Sequence, residues 1–208
     1  MATPRRIFDI ENAETADSLG TTAYQLLTAI VVPRPIAWIS TVSSDGVGNL
    51  APHSFFTVSC ANPAIVQFTS VGRKDTLRNI EQTGEFTISL APEHLLDQVN
   101  DSSAPYDADV DEAQALAIAM EPSEKVAPPR VAASPASIEC RLHSVVELGD
   151  SWLVLGTVCA ITVHESALDG THPRFDALQP LSRLGRNEWG RPPTVIAVDR
   201  PQAPPEGD

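Results

Sequence analysis

The sequence predicts a mainly β protein, an antiparallel barrel with a few short helical inserts. Runs of β-branched and aromatic residues, separated by turn residues, indicate about six strands against three short helices. The strands follow one another as hairpins rather than as strand–helix–strand units, which is typical of antiparallel sheets. No internal repeat of about 20–50 residues is visible, which argues against solenoids and propellers.

Three strands are predicted in the first part of the chain. Residues 33–35, Pro-Arg-Pro, hold the backbone extended and lead into a strand over residues 36–42, which is rich in β-branched and aromatic side chains. Asp45-Gly46 is a strong turn signal. Extended segments are predicted over residues 54–59 and 64–70, with a proline between them.

Helical inserts are predicted in the middle of the chain. Asp75 is expected to be the N-cap of the first helix, and Gly84 lies where a glycine follows a helix C-terminus. A strand over residues 85–90 comes next. Residues 93–100 and 111–119 carry the other two short helical patterns.

Two long strands are predicted over residues 137–148 and 152–163. The connector before them, residues 122–135, contains four prolines, which exclude a regular element there. The first long strand alternates apolar and polar residues, which indicates one buried face and one face in water. The apolar set is Ile138, Cys140 and Leu142, and the polar set is Glu139, Arg141 and His143.

Length and composition favour one domain. The chain has 208 residues, of which 42% are hydrophobic, and we expect a single domain over residues 21–198. Residues 1–20 are expected to form a flexible arm and residues 199–208 a disordered tail. Three widely spaced cysteines suggest reduced thiols in a cytoplasmic protein, and no metal site is predicted.

The charge balance excludes some partners. With 27 acidic and 14 basic side chains, the formal net charge is −13. Such a field repels nucleic acid and anionic membrane surfaces, and no apolar run reaches the ~20 residues needed to span a bilayer. A small phosphorylated cofactor stays possible, because a pocket responds mainly to the charges that line it.

One glycine motif has a misleading pattern. Residues 46–51 match G-x-G-x-x-A, the pattern of dinucleotide-binding loops, but that pattern has to open a helix. Here Pro52 and β-prone residues follow, so we interpret the motif as a glycine-bearing hairpin. His53 and Ser54 are neighbours in an extended segment and face opposite sides, so they are not expected to form a nucleophile–base pair.

Six polar residues at strand ends or at the start of a helix suit a phosphate or the polar edge of a ring: Arg34, Ser54, Ser70, Lys74, Asp75 and Thr76. Arginine offers a planar fork to phosphate oxygens. At the start of the predicted helix, free backbone N–H groups favour an anion. The alternative is that Arg73-Lys74 is a solvated cationic pair and Asp75 only a cap. The pattern alone leaves both interpretations open.

Three segments resemble successive blocks of the flavin-reductase-like family, in matching order and spacing. They are residues 33–41 (PRPIAWIST), 49–56 (NLAPHSFF) and 74–80 (KDTLRNI). Weaker similarities extend the resemblance to roughly residues 22–189. The resemblance implies a Greek-key split β-barrel that forms a homodimer, with one FMN near each dimer interface.

The resemblance also implies cofactor-binding roles for nine residues. Around the phosphate and ribityl chain it places Arg34, Ser54, Ser70, Lys74 and Thr76, and along the isoalloxazine it places Trp38, Asn49, Leu50 and Ala51. The implied activity is that of an oxidoreductase of the NAD(P)H:FMN reductase type, in which the cofactor performs the hard step and no side chain is named as catalytic.

The sequence leaves open which molecule accepts the electrons and whether the protein catalyses a reaction. A partner oxygenase, free flavin or a metal is the expected acceptor. A flavin-binding carrier or sensor without turnover, an FMN-dependent oxidase of a small molecule and a chain that binds no flavin are the alternatives.

Two departures from the family pattern concern the substrate side. Relatives usually carry a tyrosine where this chain has Trp189, and an indole donates a hydrogen bond but does not accept one. The insert reads Asp-Glu-Ala at residues 111–113 and has Ala117, where many relatives have Asp-Glu-Phe and a glycine. His53 is either a gatekeeper near the ring or a structural histidine.

Overall fold

The protein is described by a computed structural model that covers residues 3–11 and 21–201. The helices in this part of the chain are α1 (Ala23–Ile30), α2 (Asp75–Thr83), α3 (Leu96–Asp101), α4 (Glu112–Ala115) and α5 (Phe175–Leu178), with 3-10 turns at Glu93–Leu95 and Glu165–Ala167. The strands are β1 (Arg34–Pro35), β2 (Ala37–Val42), β3 (Gly48–His53), β4 (Phe56–Cys60), β5 (Ile65–Val71), β6 (Glu85–Leu90), β7 (Met120–Glu121), β8 (Arg130–Val131), β9 (Ala136–Leu148), β10 (Ser151–Val163), β11 (Leu168–Asp169), β12 (His172–Pro173), β13 (Ser182–Arg183) and β14 (Trp189–Gly190).

Seven antiparallel strands form the main sheet, in the order β3-β2-β6-β9-β10-β5-β4. β3 and β4 lie at opposite edges, yet only Ser54 and Phe55 join them in the chain. The sheet therefore curls until its two edges approach each other. Because β3 and β4 do not pair, the barrel is split. The predicted mainly β, antiparallel split barrel with short helical inserts is confirmed.

The strand order has a Greek-key character. β6, β9 and β10 are neighbours in the sheet, and the earlier strand β5 lies on the far side of β10. The chain therefore crosses from one side of this group to the other between β5 and β6, and α2 makes that crossing.

The two hydrophobic clusters lie on opposite faces of β2. Because side chains alternate along a strand, Ala37 and Ile39 point into the barrel, where they pack with Phe68, Leu77 and Phe86. On the other face, a second cluster consists of Ile36, Trp38, Leu50, Ala91, Leu95, Val99, Ala113, Val131 and Leu181. Residues of α3 and α4 cover this outer face, so β2 is buried on both sides.

The start of α2 differs from the prediction by one residue. Lys74, not Asp75, is the N-cap, and its side chain makes no capping hydrogen bond. Asp75 is the first helical residue and pairs with Arg78 one turn later. At the other end, Gly84 adopts the left-handed conformation with φ 74° and its N–H donates to the Ile80 carbonyl oxygen at 2.8 Å, as predicted.

Three local features differ from the sequence-based expectation. α1 forms where the sequence predicted no helix or strand, and Thr22 and Gln25 make a capping box at its start. β3 was not predicted as a separate strand; it pairs with β2 as the second arm of the glycine-bearing hairpin predicted at residues 46–51. The helix predicted over residues 111–119 shortens to α4, and just beyond it Ala117 has a positive φ of 53°.

Glu139 contradicts the predicted wet face of β9. Its side chain is fully buried. The carboxylate accepts hydrogen bonds from the backbone N–H groups of Glu124 at 2.9 Å and Lys125 at 2.6 Å. The proline-rich connector thus folds over the polar face of the strand, and its backbone N–H groups satisfy the buried Glu139 carboxylate.

The predicted arm and tail lie mostly outside the described residues. Of residues 1–20 only 3–11 are described, and they are in no helix or strand; of residues 199–208 only 199–201 are described. In the described part of the chain, no helix is long and apolar enough to cross a lipid bilayer.

Gly156 on β10 leads to a test of the barrel interior. A Cβ at this position would lie 2.9 Å from Phe86 Cε1 and closer still to its Cζ, and the Phe86 ring is fully buried. We expect Gly156→Ala to lower the free energy of unfolding by about 1–3 kcal/mol through overpacking. Adding Phe86→Leu should recover part of this loss, so that urea unfolding of the double variant shows less than the sum of the single effects. Strict additivity of the two substitutions would contradict this packing.

Candidate functional site

A cleft of about 350 Å³, here called the main cleft, lies beside the edge strand β3. The start of α2 forms a second wall, and residues 102–106 with Glu112 form the third. Four of the nine predicted cofactor residues line it: Asn49, Ala51, Lys74 and Thr76. The structure therefore brings together the part of the predicted set that comes from β3 and from the start of α2.

Lys74 gives one wall of the main cleft a positive charge. Its side chain is exposed and forms no ion pair with an acidic residue of the described chain. It is also the N-cap of α2, where backbone N–H groups without intrahelical partners and the helix dipole favour negative charge. Charge and backbone donors therefore converge at the same end of the cleft.

A buried network of polar side chains forms the floor next to Lys74. The Asn49 Nδ2 amide donates to Thr76 Oγ1 at 3.1 Å and to Thr41 Oγ1 at 3.2 Å. Asn79 Nδ2 also donates to Thr41 Oγ1, at 3.1 Å. The Oδ1 atom of Asn79 is buried without a hydrogen-bond partner in this part of the chain. These contacts hold Asn49 and Thr76, two of the nine predicted cofactor residues, in fixed positions.

His53 is both part of the cleft wall and part of the core. Its Nε2 atom lies 3.4 Å from Thr76 Oγ1, and its ring packs against Phe68 at a centroid distance of 4.8 Å. Burial, helped by the charge of Lys74, lowers the pKa of His53 to about 4. The imidazole is therefore neutral at physiological pH, and it adds no charge to the cleft.

Glu112 is a cleft residue that the sequence did not identify as functional. Its side chain is only 6% exposed, and the carboxylate accepts the Leu50 N–H at 2.8 Å. Burial raises the pKa of Glu112. In the sequence, an acidic residue at the start of a predicted helix indicates a first turn that lies in water. Nothing in the pattern therefore distinguished Glu112 from an ordinary surface residue. Leu50 itself is buried, and its N–H is already bound.

Arg34 lies away from the main cleft. The residue is 7% exposed, and its guanidinium donates to the backbone carbonyl oxygens of Thr28, of Val31 at 3.0 Å and of Leu184 at 2.7 Å. Its Nε atom lies 3.5 Å from Ser54 Oγ. Arg34 thus joins the C-terminal end of α1 to the segment after β13, and Ser54 belongs to a neighbouring recess.

Trp38 and Ser70 are interior residues. The Trp38 side chain is fully buried, and its indole N–H donates to Ser102 Oγ at 2.9 Å. Ser70 is fully buried as well, and its hydroxyl donates to the Gly72 carbonyl oxygen at 2.9 Å in the turn before α2. Both support the cleft from behind, and their cofactor contacts stay a prediction, as do those of Arg34, Ser54 and Leu50. In residues 3–11 and 21–201, no three His, Cys, Asp or Glu side chains are grouped to hold a metal ion.

A family profile matches this chain. The Flavin reductase like domain covers residues 30–179, well over half of the sequence. An uncharacterized protein from Deinococcus radiodurans is 41% identical over 174 residues, which are 78% of this chain and 77% of that protein.

Two solved structures share both fold and sequence with this chain. The 2-nitrobenzoate 2-nitroreductase of Pseudomonas fluorescens is 28% identical, with a TM-score of 0.83 over 91% of this chain and 98% of that one. The nitrilotriacetate monooxygenase component B of Bacillus cereus is 27% identical, with a TM-score of 0.85 over 95% of this chain and 100% of that one.

The lowered pKa of His53 predicts an acid sensitivity. Between pH 6.5 and about pH 4 the unfolded chain binds a proton at this histidine and the folded chain does not. The free energy of unfolding should therefore fall as the pH falls through this range, with a contribution from His53 of roughly 3 kcal/mol. Urea unfolding of His53→Gln should show a smaller acid loss, whereas His94→Gln, at an exposed histidine, should keep the wild-type slope. Equal slopes in all three proteins would rule out this role for His53.

Proposed function

The chain belongs to the family of flavin reductase-like domains, and we propose that it is an FMN-dependent oxidoreductase of the NAD(P)H:flavin reductase type. When bound, FMN supplies the redox chemistry, accepting a hydride from NADH or NADPH and passing electrons to an acceptor. The protein contributes binding, orientation and electrostatics.

Lys74 is the observation that carries this proposal. In a chain with 27 acidic side chains, a lysine that has no ion-pair partner among the described residues and stands at a helix N-terminus beside a cleft is suited to a phosphate group. The Thr76 hydroxyl lies at the same end of the cleft. The phosphate would bind here through the Lys74 ammonium group and the free N–H groups of α2.

The edge position of β3 suits the ring system. β3 pairs only with β2, so its other side faces α4 and the main cleft. Asn49 and Ala51 line the cleft along this side, and we propose that the isoalloxazine lies against them. His53 is neutral at physiological pH, so the cleft keeps one cationic group, Lys74, for the phosphate.

The similar structures suggest where the electrons go. Similarity to a nitrilotriacetate monooxygenase component B supports delivery of reduced flavin to a partner oxygenase. Similarity to a 2-nitrobenzoate 2-nitroreductase supports the second candidate, turnover of a small aromatic molecule at the bound flavin. A flavin-binding carrier or sensor without turnover differs from both candidates, because NADH and NADPH would not reduce its bound flavin.

A homodimer is part of the proposal. Tyr24 and Leu27 lie three residues apart on one face of α1, Val31 follows directly after the helix, and all three side chains are large, hydrophobic and at least 58% exposed. A second copy of the chain that packs on this face would bury it. α1 is tied to Arg34 through the Thr28 and Val31 carbonyl oxygens, so such an interface would lie close to the predicted cofactor residues.

The reductase activity is tested with the purified protein. We expect a flavin absorbance band, present on purification or after addition of FMN, that bleaches quickly on anaerobic addition of NADH or NADPH. A band that bleaches only with a small aromatic substrate would favour the second candidate, and one that stays oxidised under both conditions would favour a carrier. Absence of any flavin band after FMN addition would remove the proposed cofactor.

Lys74→Ala should weaken FMN binding by about 1.5–3 kcal/mol, because one charge-assisted hydrogen bond to the phosphate is lost. Riboflavin, which lacks the phosphate, should bind both proteins alike. Lys125→Ala is the matched control, since Lys125 is the other lysine in the chain and does not line the cleft. Fluorescence titration measures all affinities. Unchanged FMN affinity in Lys74→Ala, or an equal loss for riboflavin, would contradict the phosphate site.

A further inference from the structure

Two arginines face each other on the small sheet formed by β1, β13 and β14. β1 and β13 are antiparallel, and Arg34 lies directly opposite Arg183 in their register. Like charges at directly opposite positions of an antiparallel pair destabilise it. Burial and the charge of Arg183 both lower the pKa of Arg34. Neither arginine forms an ion pair with an acidic side chain of the described residues, although acidic residues outnumber basic ones in the chain.

A third side chain lies in line with this arginine pair across the small sheet. β13 lies between β1 and β14, and Trp189 of β14 is opposite Arg183. The Arg183 guanidinium stacks over the Trp189 ring at 4.6 Å from the centroid and donates to the Arg186 carbonyl oxygen at 2.9 Å. Arg34, Arg183 and Trp189 therefore form one cross-strand row, in which Arg183 is held in place by an aromatic ring and a carbonyl group.

Arg183 and Trp189 of this row line a recess of about 170 Å³, here called the arginine recess, whose polar lining is Ser54, Asn100, Ser103 and Arg183. Ile36, Pro52 and Trp189 supply its apolar lining. Pro52 and Ser103 also line the main cleft, so the two spaces are adjacent. A further cleft shares Arg183 with the recess and is lined by Asp97. Asp97 is not within ion-pair distance of Arg183.

We propose that the arginine recess binds a small aromatic carboxylate beside the main cleft. The guanidinium fork of Arg183 matches the two oxygens of a carboxylate, and Ser54 and Asn100 offer further hydrogen-bond donors. The Ser103 hydroxyl already donates to the Asn100 carbonyl oxygen at 2.6 Å. Trp189 and Pro52 provide flat apolar surfaces for a ring. The volume is below that of pockets for larger ligands and suits a single ring rather than a dinucleotide.

A bound anion also removes the unfavourable feature of the row. It compensates the repulsion between Arg34 and Arg183, so ligand binding stabilises the folded protein. The role of this ligand as a second substrate next to the cofactor rests on the proposed function. Its binding does not, because no residue of the recess depends on flavin for its position.

The test is isothermal titration calorimetry with three probes, in the absence and in the presence of FMN. Benzoate carries ring and charge, benzamide the ring without the charge, and cyclohexanecarboxylate the charge without the aromatic ring. The wild type should bind benzoate at least about tenfold more tightly than benzamide, the effect of one charge-assisted hydrogen bond. It should also prefer benzoate over cyclohexanecarboxylate.

Variants assign these preferences to residues. Arg183→Gln should remove the preference for benzoate over benzamide, and Arg183→Lys should keep part of it, because the charge remains and the planar fork is lost. Trp189→Leu should remove the preference for the aromatic carboxylate. Arg191→Gln is the charge-matched control, since Arg191 pairs with Glu93 and lines neither space, and it should bind as the wild type does. Thermal unfolding verifies that each variant is folded.

Three results would overturn the inference. The first is equal affinity of the wild type for benzoate and benzamide, and the second is an equal loss of benzoate binding in Arg183→Gln and Arg191→Gln. The third is a loss of FMN affinity, but not of riboflavin affinity, in Arg183→Gln with benzoate binding unchanged, which would assign the arginine to the flavin phosphate. Because benzoate is also titrated without flavin, a failure of the proposed cofactor site is distinguished from a failure of the recess.

Discussion

The burial of β2 on both faces is the constraint on which the rest of the structure depends. Ala37 and Ile39 need the barrel interior, while Ile36 and Trp38 need a second apolar layer outside it. The chain meets the second requirement with short helices that cover the outer face. β3, the neighbour of β2, is then left as a sheet edge, and the main cleft forms between that edge and the covering segments.

The basic residues differ in whether they form an ion pair. Most arginines on the surface are paired with carboxylates, as Arg73 is with Glu81 and Arg174 with Asp176. Lys74 and Arg183 line cavities and have no such partner in the described chain. In a strongly acidic protein these two positions are where a small anion meets the least repulsion.

The sequence predicted the fold well and the site in part, and the difference has a physical origin. Strand patterns and turn residues depend on neighbours in the chain, so the long strands and the end of α2 at Gly84 were correctly placed. Glu139 and Glu112 depend on distant backbone groups, those of the connector and of Leu50, and their burial has no local signature. For the same reason the resemblance grouped Arg34 with Lys74, whereas in the structure Lys74 lines the main cleft and Arg34 is buried among backbone carbonyl groups away from it.

The hydrogen bond from the Trp38 indole to Ser102 Oγ also constrains how the sequence of this protein can drift. Ser102 begins the wall of the main cleft, and Trp38 lies in the outer core. Replacing Ser102 alone leaves the buried Trp38 indole N–H without a hydrogen-bond acceptor. Replacing Trp38 alone opens a cavity behind the wall. The two positions are therefore energetically coupled, and we expect a change of this wall that admits another ligand to be tolerated best when both residues change together.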